Sequence, residues 1–247
     1  MISKAKIKHI KALQAKKYRK EHQCFLVEGI KSVDELLRSD FEVVWVAITS
    51  QFMEARRALL NQRAAEWTAC TEAELVAAGT FQTNDGALAI VRCKPNTPPQ
   101  ISNTLVLALD TIRDPGNLGT IIRTADWFGV EHIVASVETA DFYNPKVIAA
   151  TMGSFCRVNM YYTDLEKFLA SVSKPVYGAF MNGTDVHRIA APENGILVIG
   201  NEANGISAAL EKFISNRVTI PRLGKAESLN AAIATGILLD VFTQKKD

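Results

Sequence analysis

Two uninterrupted apolar runs constrain the fold of this chain more than any other feature. Leu105–Leu109 and residues 196–199 are as long as a strand, contain no polar residue and lead directly into loops rich in polar residues and glycine. A strand without polar alternation is buried on both faces, as in a parallel sheet covered by helices. Helical patterns follow both loops, and the strand–loop–helix order repeats between them. The sequence therefore predicts an α/β fold with a mostly parallel sheet in its C-terminal part.

A proline-rich stretch divides the chain into two predicted domains. Residues 94–103 hold three of the eight prolines, a composition typical of a linker. Before this stretch, short apolar segments alternate with helical ones, and Thr71 with Glu74 forms a capping box at the start of one helix. We predict a small α/β domain at residues 1–93, a linker at 94–103 and a second domain at 104–247.

Composition excludes several classes of protein. The apolar fraction of 48% supports a packed core, yet no apolar run approaches the length of a membrane span. The basic N-terminus is not followed by the apolar segment of a secretion signal, so we predict a cytoplasmic protein. The four cysteines are scattered singly, which predicts buried thiols and no metal site.

A basic segment lies near the N-terminus. Eight basic residues and no acid occur between positions 4 and 20, namely Lys4, Lys6, Lys8, Lys11, Lys16, Lys17, Arg19 and Lys20. Ile7, Ile10 and Leu13 recur at helical spacing within it, so one face can pack while the basic face meets a polyanion. This pattern indicates contact with RNA or DNA. A solvated helix end with no specific ligand is the alternative.

Three polar loops follow predicted strands of the second domain, at residues 110–119, 200–206 and 221–230. Ligands of parallel sheets bind beyond the carboxyl ends of the strands, so the loops predict a binding site. They contain neither a dinucleotide fingerprint nor a P-loop, which favours a nucleotide-like ligand without phosphates. Ordinary strand–loop–helix connections are the alternative. Ser228 is the predicted N-cap of the last helix.

The helix after the first of these loops carries two large polar-face residues. Leu118, Ile121 and Ala125 mark its apolar face, together with Ile122 and Gly129. Arg123 and Trp127 are four residues apart and project away from that face. This arrangement indicates an interface, whereas an exposed tryptophan with the arginine stacked on it is the alternative.

Three motifs at these loops, residues 114–125, 199–206 and 220–232, resemble the signature motifs of the SpoU, or TrmH-like, family of RNA ribose 2'-O-methyltransferases in the SPOUT superfamily. The N-terminal domain resembles the ribosomal-protein-like RNA-binding domain of that family. The resemblance implies a trefoil knot with helices on both faces of the sheet, a homodimer, S-adenosyl-L-methionine as the cofactor and no metal.

The resemblance also implies the site residues. The catalytic positions would be Arg123, Asn117, Glu202, Ser228 and Asn230, and the cofactor positions would be Gly200, Asn201, Ile220, Leu223 and Leu229. In the family Arg123 is the position assigned to activating the ribose hydroxyl. Because arginine is a poor base at its ordinary pKa, it can equally position a phosphate and stabilise the developing alkoxide. Ribosomal RNA is the favoured substrate, with transfer RNA or a non-catalytic assembly role as alternatives.

Overall fold

The computed structural model describes residues 1–101, 104–201 and 203–244. The chain divides into two compact units. The first comprises Met1–Pro95 with Asp141–Cys156, and the second comprises Asn96–Ala140 with Arg157–Asp247. The segment Asp141–Cys156 therefore groups with the first unit, although its sequence lies within the domain predicted at residues 104–247. No pattern in the sequence indicated this excursion.

Strands and helices are numbered along the chain. The strands are β1 Cys24–Glu28, β2 Val43–Ile48, β3 Trp67–Ala69, β4 Ala87–Arg92, β5 Leu105–Leu109, β6 His132–Ala135, β7 Asn159–Tyr162, β8 Val176–Asp185, β9 Gly195–Ile199 and β10 Asn216–Thr219. The α-helices are α1 Lys4–Leu13, α2 Lys16–His22, α3 Ile30–Leu37, α4 Ser50–Arg63, α5 Glu72–Ala78, α6 Pro115–Trp127, α7 Pro145–Thr151, α8 Leu165–Ser171, α9 Ala208–Glu211 and α10 Ala231–Phe242. Short 3-10 helices span Ser154–Cys156 and Val186–Arg188.

The first unit contains a mixed four-stranded sheet in the order β1-β4-β2-β3. Strand β4 pairs antiparallel with both β1 and β2, and β2 pairs parallel with β3. Ile10 and Leu13 of α1 are fully buried in a core cluster with Trp45 of β2, so the predicted docking face of the basic segment is confirmed. The capping box is confirmed as well, because the Glu74 backbone N–H donates to Thr71 Oγ1 and the Thr71 N–H donates to Glu74 Oε2.

Aromatic rings hold the segment Asp141–Cys156 within the first unit. The ring of Phe25 in β1 lies 4.5 Å from that of Tyr143 and 6.0 Å from that of Phe155, measured between centroids. The Tyr143 hydroxyl accepts a hydrogen bond from the Lys94 N–H at 2.9 Å. Burial raises the pKa of Tyr143, which keeps this acceptor neutral. Helix α7 packs against β1 beside these rings.

The second unit contains an all-parallel six-stranded sheet in the order β10-β8-β9-β5-β6-β7. Both apolar runs that constrained the fold lie in its centre, since β5 pairs with β6 on one side and with β9 on the other. Every residue of β9 is buried, and so are the last four residues of β5. The α/β prediction with a parallel C-terminal sheet is therefore confirmed. The strand order reverses between β5 and β9, which is where such sheets bind ligands.

Three local predictions differ from the structure. Strand β8 continues to Asp185, whereas the apolar pattern of residues 176–180 predicts a strand that ends at residue 180. The continuation is largely exposed where it pairs with β10, so it carries no apolar signal. Gly129 is outside the apolar face of α6. It has a positive φ of 72° and ends the helix, with the Val130 N–H donating to the Ala125 carbonyl at 2.8 Å. Thr163 and Glu166 have the spacing of a capping box, which predicts Thr163 as the cap of α8, yet Asp164 is the N-cap and accepts from the Glu166 and Lys167 N–H groups.

Candidate active site

The first two polar loops meet at the point where the strand order reverses. Asp110 directly follows β5, and its buried carboxylate accepts hydrogen bonds from the Ser207 backbone N–H at 2.7 Å and from Thr111 Oγ1 at 2.9 Å. Ser207 lies directly after the second loop. The Asp110 side chain therefore joins the start of the first loop to the end of the second, across 97 residues of sequence. Sequence reasoning did not single out Asp110. Its only signal was an acid placed directly after a buried strand.

Thr111 and Asn201 form a second connection between the same loops. Asn201 Nδ2 donates to the Thr111 carbonyl at 2.9 Å, and Asn201 Oδ1 accepts from the Ala203 N–H at 2.9 Å. Thr111 has a φ of 61°, which is unfavourable for a β-branched residue. Such a conformation persists only where the surroundings hold it, and here the polar contacts of both loops do so. The side chain of the predicted cofactor residue Asn201 therefore orders the loops.

Gly200 allows the second loop to turn tightly. Asn201 and Gly205 exchange two backbone hydrogen bonds of 3.0 and 2.8 Å, which close the loop. A Cβ atom at Gly200 would lie 2.1 Å from the carbonyl carbon of Gly205, so a side chain there is incompatible with this backbone. Glu202, predicted to be catalytic, lies outside the described residues.

The third loop is joined to the first through two asparagines. Asn230 Nδ2 donates to Asn117 Oδ1 at 2.8 Å, across 113 residues of sequence. Asn230 Oδ1 also accepts from the Ala232 and Ile233 N–H groups, so Asn230 is the N-cap of α10. The prediction of Ser228 as the N-cap is wrong. Ser228 lies two residues before the capping position, and Asn230 accepts from the N–H groups of the first turn. Asn117 occupies the first turn of α6 and donates its N–H to the capping Asp114 carboxylate at 2.8 Å.

Arg123 lies on α6, two turns beyond Asn117, and is exposed. Among the described residues it forms no hydrogen bond, ion pair or ring contact, so the guanidinium is available to a ligand. The alternative of an arginine stacked on Trp127 is therefore not seen in this part of the chain. Trp127 is 85% exposed. Ile233 of α10 is 56% exposed, and α10 packs against α6.

The third loop offers groups that suit a nucleoside. Within the residues that the structure describes, no backbone N–H from Arg222 to Leu229 donates a hydrogen bond. The apolar side chains of Leu223 and Leu229 are 99% and 46% exposed. Ser228 is also exposed. Free backbone donors beside uncovered apolar side chains fit an adenosine group, which has hydrogen-bonding edges and a flat apolar face.

The basic segment forms α1 and α2 of the first unit. Its exposed members are Lys4, Lys8, Lys11, Lys16, Lys17 and Lys20. Lys6 is partly buried, with Nζ 3.5 Å from Glu66 and 4.8 Å from the ring centroid of Trp45. These seven lysines give the two helices a strongly positive surface.

Arg19 departs from the predicted RNA-binding set. It is only 3% exposed, and its guanidinium forms an ion pair with Asp141. It also donates to the carbonyls of Leu13 and Gln14 at 3.0 and 2.8 Å, which caps the end of α1. A side chain with these partners holds the fold together and cannot reach an RNA phosphate. In the sequence, Arg19 looks the same as its lysine neighbours.

Two further observations concern the described parts of the chain. No group of three or more histidine, cysteine or acidic side chains is arranged there to hold a metal ion. None of the helices described is both long and apolar enough to cross a membrane.

Comparisons with known proteins cover both units. Residues 104–240 match the model of the SpoU rRNA Methylase family, and residues 4–89 match an MRM3-like substrate binding domain. The 23S rRNA (guanosine(2553)-2'-O)-methyltransferase RlmP of Bacillus subtilis is 32% identical over 238 residues, which span 95% of this chain and 94% of that protein.

Solved structures agree over nearly the full length. A protein of the TrmH family from Porphyromonas gingivalis has a TM-score of 0.86 and 34% identity, with 98% of each chain covered. An AdoMet-bound rRNA methyltransferase from Sinorhizobium meliloti has a TM-score of 0.85 and 29% identity, covering 98% of this chain and 96% of that one. The family match extends over more than half of the chain and includes all three loops of the site. The chain belongs to the SpoU rRNA methylase family.

Proposed function

We propose that this protein transfers a methyl group from S-adenosyl-L-methionine to a ribose 2'-hydroxyl in RNA, with ribosomal RNA as the favoured substrate. The observation that carries the proposal is the joining of three separate loops at one edge of the parallel sheet, through Asp110, Asn201 and the Asn117–Asn230 hydrogen bond. A relative similar over nearly its whole length is named as a 23S rRNA 2'-O-methyltransferase.

The residues of the loops fit the cofactor. S-adenosyl-L-methionine supplies an electrophilic methyl group on a sulfonium. Gly200, Asn201, Ile220, Leu223 and Leu229 would hold it, with Gly200 offering backbone groups beside the closed turn and Leu223 and Leu229 covering its apolar ring. The free backbone N–H groups of residues 222–229 support this assignment, because a neutral adenosine needs hydrogen bonds and no phosphate-binding charge.

Arg123 is the residue assigned to the ribose. Its exposed guanidinium has no partner among the described residues, so it can bind the phosphate next to the target ribose and stabilise the negative charge that develops on the 2'-oxygen. Asn117 and Asn230 fix the starts of α6 and α10, and Ser228 and Glu202 complete the proposed catalytic set. Most of the acceleration would come from holding the hydroxyl and the methyl group in line.

The two sequence regions would divide the work. Residues 1–93 would bind RNA through Lys4, Lys6, Lys8, Lys11, Lys16, Lys17 and Lys20, the linker would span 94–103, and residues 104–247 would carry the transfer. The match of residues 4–89 to a substrate-binding domain supports this division. Exposed lysines on two adjacent helices are suited to the phosphate backbone.

A homodimer and a trefoil knot complete the proposal. Trp127 and Ile233 leave a large apolar area exposed on the packed pair α6 and α10, which a second copy of the chain would bury. The knot is supported by the path after β10, since α10 returns from the sheet edge to pack on α6. A cytoplasmic location follows from the proposed substrate, because the bacterial relatives act on RNA that is made and assembled there.

The test is ribose-methylation mapping of total RNA from cells with and without this protein. Loss of one 2'-O-methyl group from ribosomal RNA in the deletion, restored by the wild-type gene, is the expected result. Loss of a 2'-O-methyl group from a transfer RNA would identify transfer RNA as the substrate instead. An unchanged map combined with defective ribosomal subunits would contradict the proposal and favour a non-catalytic assembly factor.

A further inference from the structure

Helices α1 and α2 carry three aromatic rings, and they lie together. The rings of Tyr18 and His22 are stacked at 6.4 Å between centroids with an angle of 20° between their planes. The His9 ring meets His22 edge to face at 4.8 Å. Tyr18, His22 and His9 are all the aromatic residues of α1 and α2, and we refer to them as the ring cluster.

Two rings of the ring cluster are open to solvent. Tyr18 is 40% exposed, and His22 is exposed as well. His9 lies deeper, and its Nε2 is buried without a hydrogen-bond partner among the described residues. Burial, followed by the nearby charges of His22 and Lys6, lowers the pKa of His9, so this supporting ring is neutral at neutral pH. The inner ring therefore packs against His22, and His22 in turn packs against Tyr18.

The surroundings of Tyr18 are cationic. Lys17 Nζ lies 5.8 Å from the centroid of the Tyr18 ring, and Lys16 and Lys20 are exposed on the same short helix. The buried Arg19 and its ion pair with Asp141 fix α2 in place. The ring is thus held by a second ring and by an anchored helix, which reduces the entropy lost when a ligand stacks on it.

An exposed aromatic ring among lysines has the chemistry of a single-strand site. Lysines follow the phosphate backbone, while the ring offers a face on which any base can stack. Bases of an A-form duplex are already stacked and turned inward, so only an unpaired base can reach such a ring. Binding to phosphates alone would not require an exposed aromatic ring among the lysines.

We propose that Tyr18 stacks on an unpaired base of the substrate RNA while the neighbouring lysines bind its phosphates, so that this surface selects loops or single strands over continuous duplex. The inference rests on the proposed function, since it refines how the basic segment binds RNA. It adds a substrate class and one residue that the charge pattern does not include.

The test uses the full-length protein and two RNA probes of equal length, one single-stranded and one fully paired. Tyr18→Ala should weaken binding to the single strand about tenfold and leave duplex binding unchanged, because stacking is lost and no charge is removed. Tyr18→Phe keeps the ring and should bind as the wild type does. Tyr18→Leu keeps an apolar side chain without a ring and should behave as Tyr18→Ala. Fluorescence anisotropy across a salt series measures the affinity of the wild type and of the three variants for both probes.

Lysine variants separate the two proposals. Lys17→Gln with Lys20→Gln should weaken binding to both probes and lower the slope of log affinity against log salt by about 0.7 per lysine on the single strand, whereas Tyr18→Ala should leave that slope unchanged. If the lysine variants bind normally, the proposed RNA surface is refuted. If they weaken binding while Tyr18→Ala matches the wild type, or loses equally on both probes, only the stacking site is refuted.

Discussion

Arg19 and Arg123 are both helical arginines with a predicted role in RNA chemistry, and the two units use them in opposite ways. Arg19 is buried against Asp141 and the end of α1, whereas Arg123 is exposed and forms no contact with the described residues. The same side chain is structural in the first unit and available to a ligand in the second. Burial and partners, and not residue type, decide between these roles.

The surrounding polar groups extend this difference. In the first unit the exposed lysines point outward from packed helices, so their charges can be removed without loss of structure. In the second unit the polar side chains of the loops bond to one another, as Asn230 does to Asn117. Substitutions at single positions should therefore change stability, the rate of methyl transfer or binding separately.

The largest effect is expected at Arg123. Arg123→Ala should lower the rate of methyl transfer by about 10²–10³-fold, the usual cost of removing one group that stabilises developing charge. The affinity for S-adenosyl-L-methionine and the melting temperature should stay unchanged, because the side chain has no described partner. Single-turnover transfer of labelled methyl groups measures the rate, and calorimetry measures the cofactor affinity and the melting temperature. Arg57→Ala removes another exposed helical arginine and serves as the control. A normal rate in Arg123→Ala would refute the assigned role.

Arg19 should show the reverse pattern. Arg19→Met should destabilise the protein by about 3 kcal/mol, because it leaves Asp141 largely buried without its cation. The double variant with Asp141→Asn should recover part of this loss, since no uncompensated charge remains. Urea unfolding measures both, and Lys20→Met, at the neighbouring exposed position, should be nearly neutral. Equal stability of Arg19→Met and Lys20→Met would contradict the distinction between buried and exposed cations.

A charge on the apolar surface of the second unit should affect assembly. Trp127→Glu should raise the dissociation constant of the proposed homodimer at least tenfold, because it places a carboxylate where a large apolar side chain would be buried. Light scattering over a concentration series measures the mass. Val137→Glu alters another exposed apolar residue of the same unit, in the loop after β6, and should leave the mass unchanged. A monomeric wild type would refute the homodimer.

The smallest effect is expected at Asp110. Asp110→Asn keeps an oxygen acceptor for the Ser207 N–H and removes the charge, so the affinity for S-adenosyl-L-methionine should fall by a factor of about five, or roughly 1 kcal/mol. Asp114→Asn is the matched control, because asparagine caps a helix as well as aspartate does. If both variants bind the cofactor alike, Asp110 does not order the first two loops.

The parts of the fold that local patterns determine were predictable from the sequence. β5 and β9 contain no polar side chain, and that composition alone indicates a strand buried on both faces, as in a parallel sheet. Thr71 and Glu74 likewise satisfy each other within one turn of helix. The three loops could be placed at strand ends for the same reason, although their joining depends on single contacts such as Asn230 to Asn117.

Contacts between distant residues could not be predicted. Nothing within α2 distinguishes Arg19 from its lysine neighbours, because its partner Asp141 lies 122 residues further along the chain. The exposed second half of β8 has no apolar pattern, so its pairing with β10 was invisible. The proposed catalytic role of Arg123 came from family resemblance and stays a prediction. The choice of cofactor came from the same resemblance and agrees with the similar rRNA methyltransferase that was solved with AdoMet bound.

The excursion of Asp141–Cys156 has a consequence for the order of events during synthesis. A ribosome releases the chain from its N-terminus, so Arg19 emerges long before Asp141 and cannot gain its counter-ion until 122 more residues have followed. The first unit is therefore completed only after β5 and β6, the first two strands of the parallel sheet, have been made. A fragment that stops at the linker would contain the whole basic segment yet leave its central arginine unneutralised, which makes the isolated N-terminal region a poor substitute for the full chain.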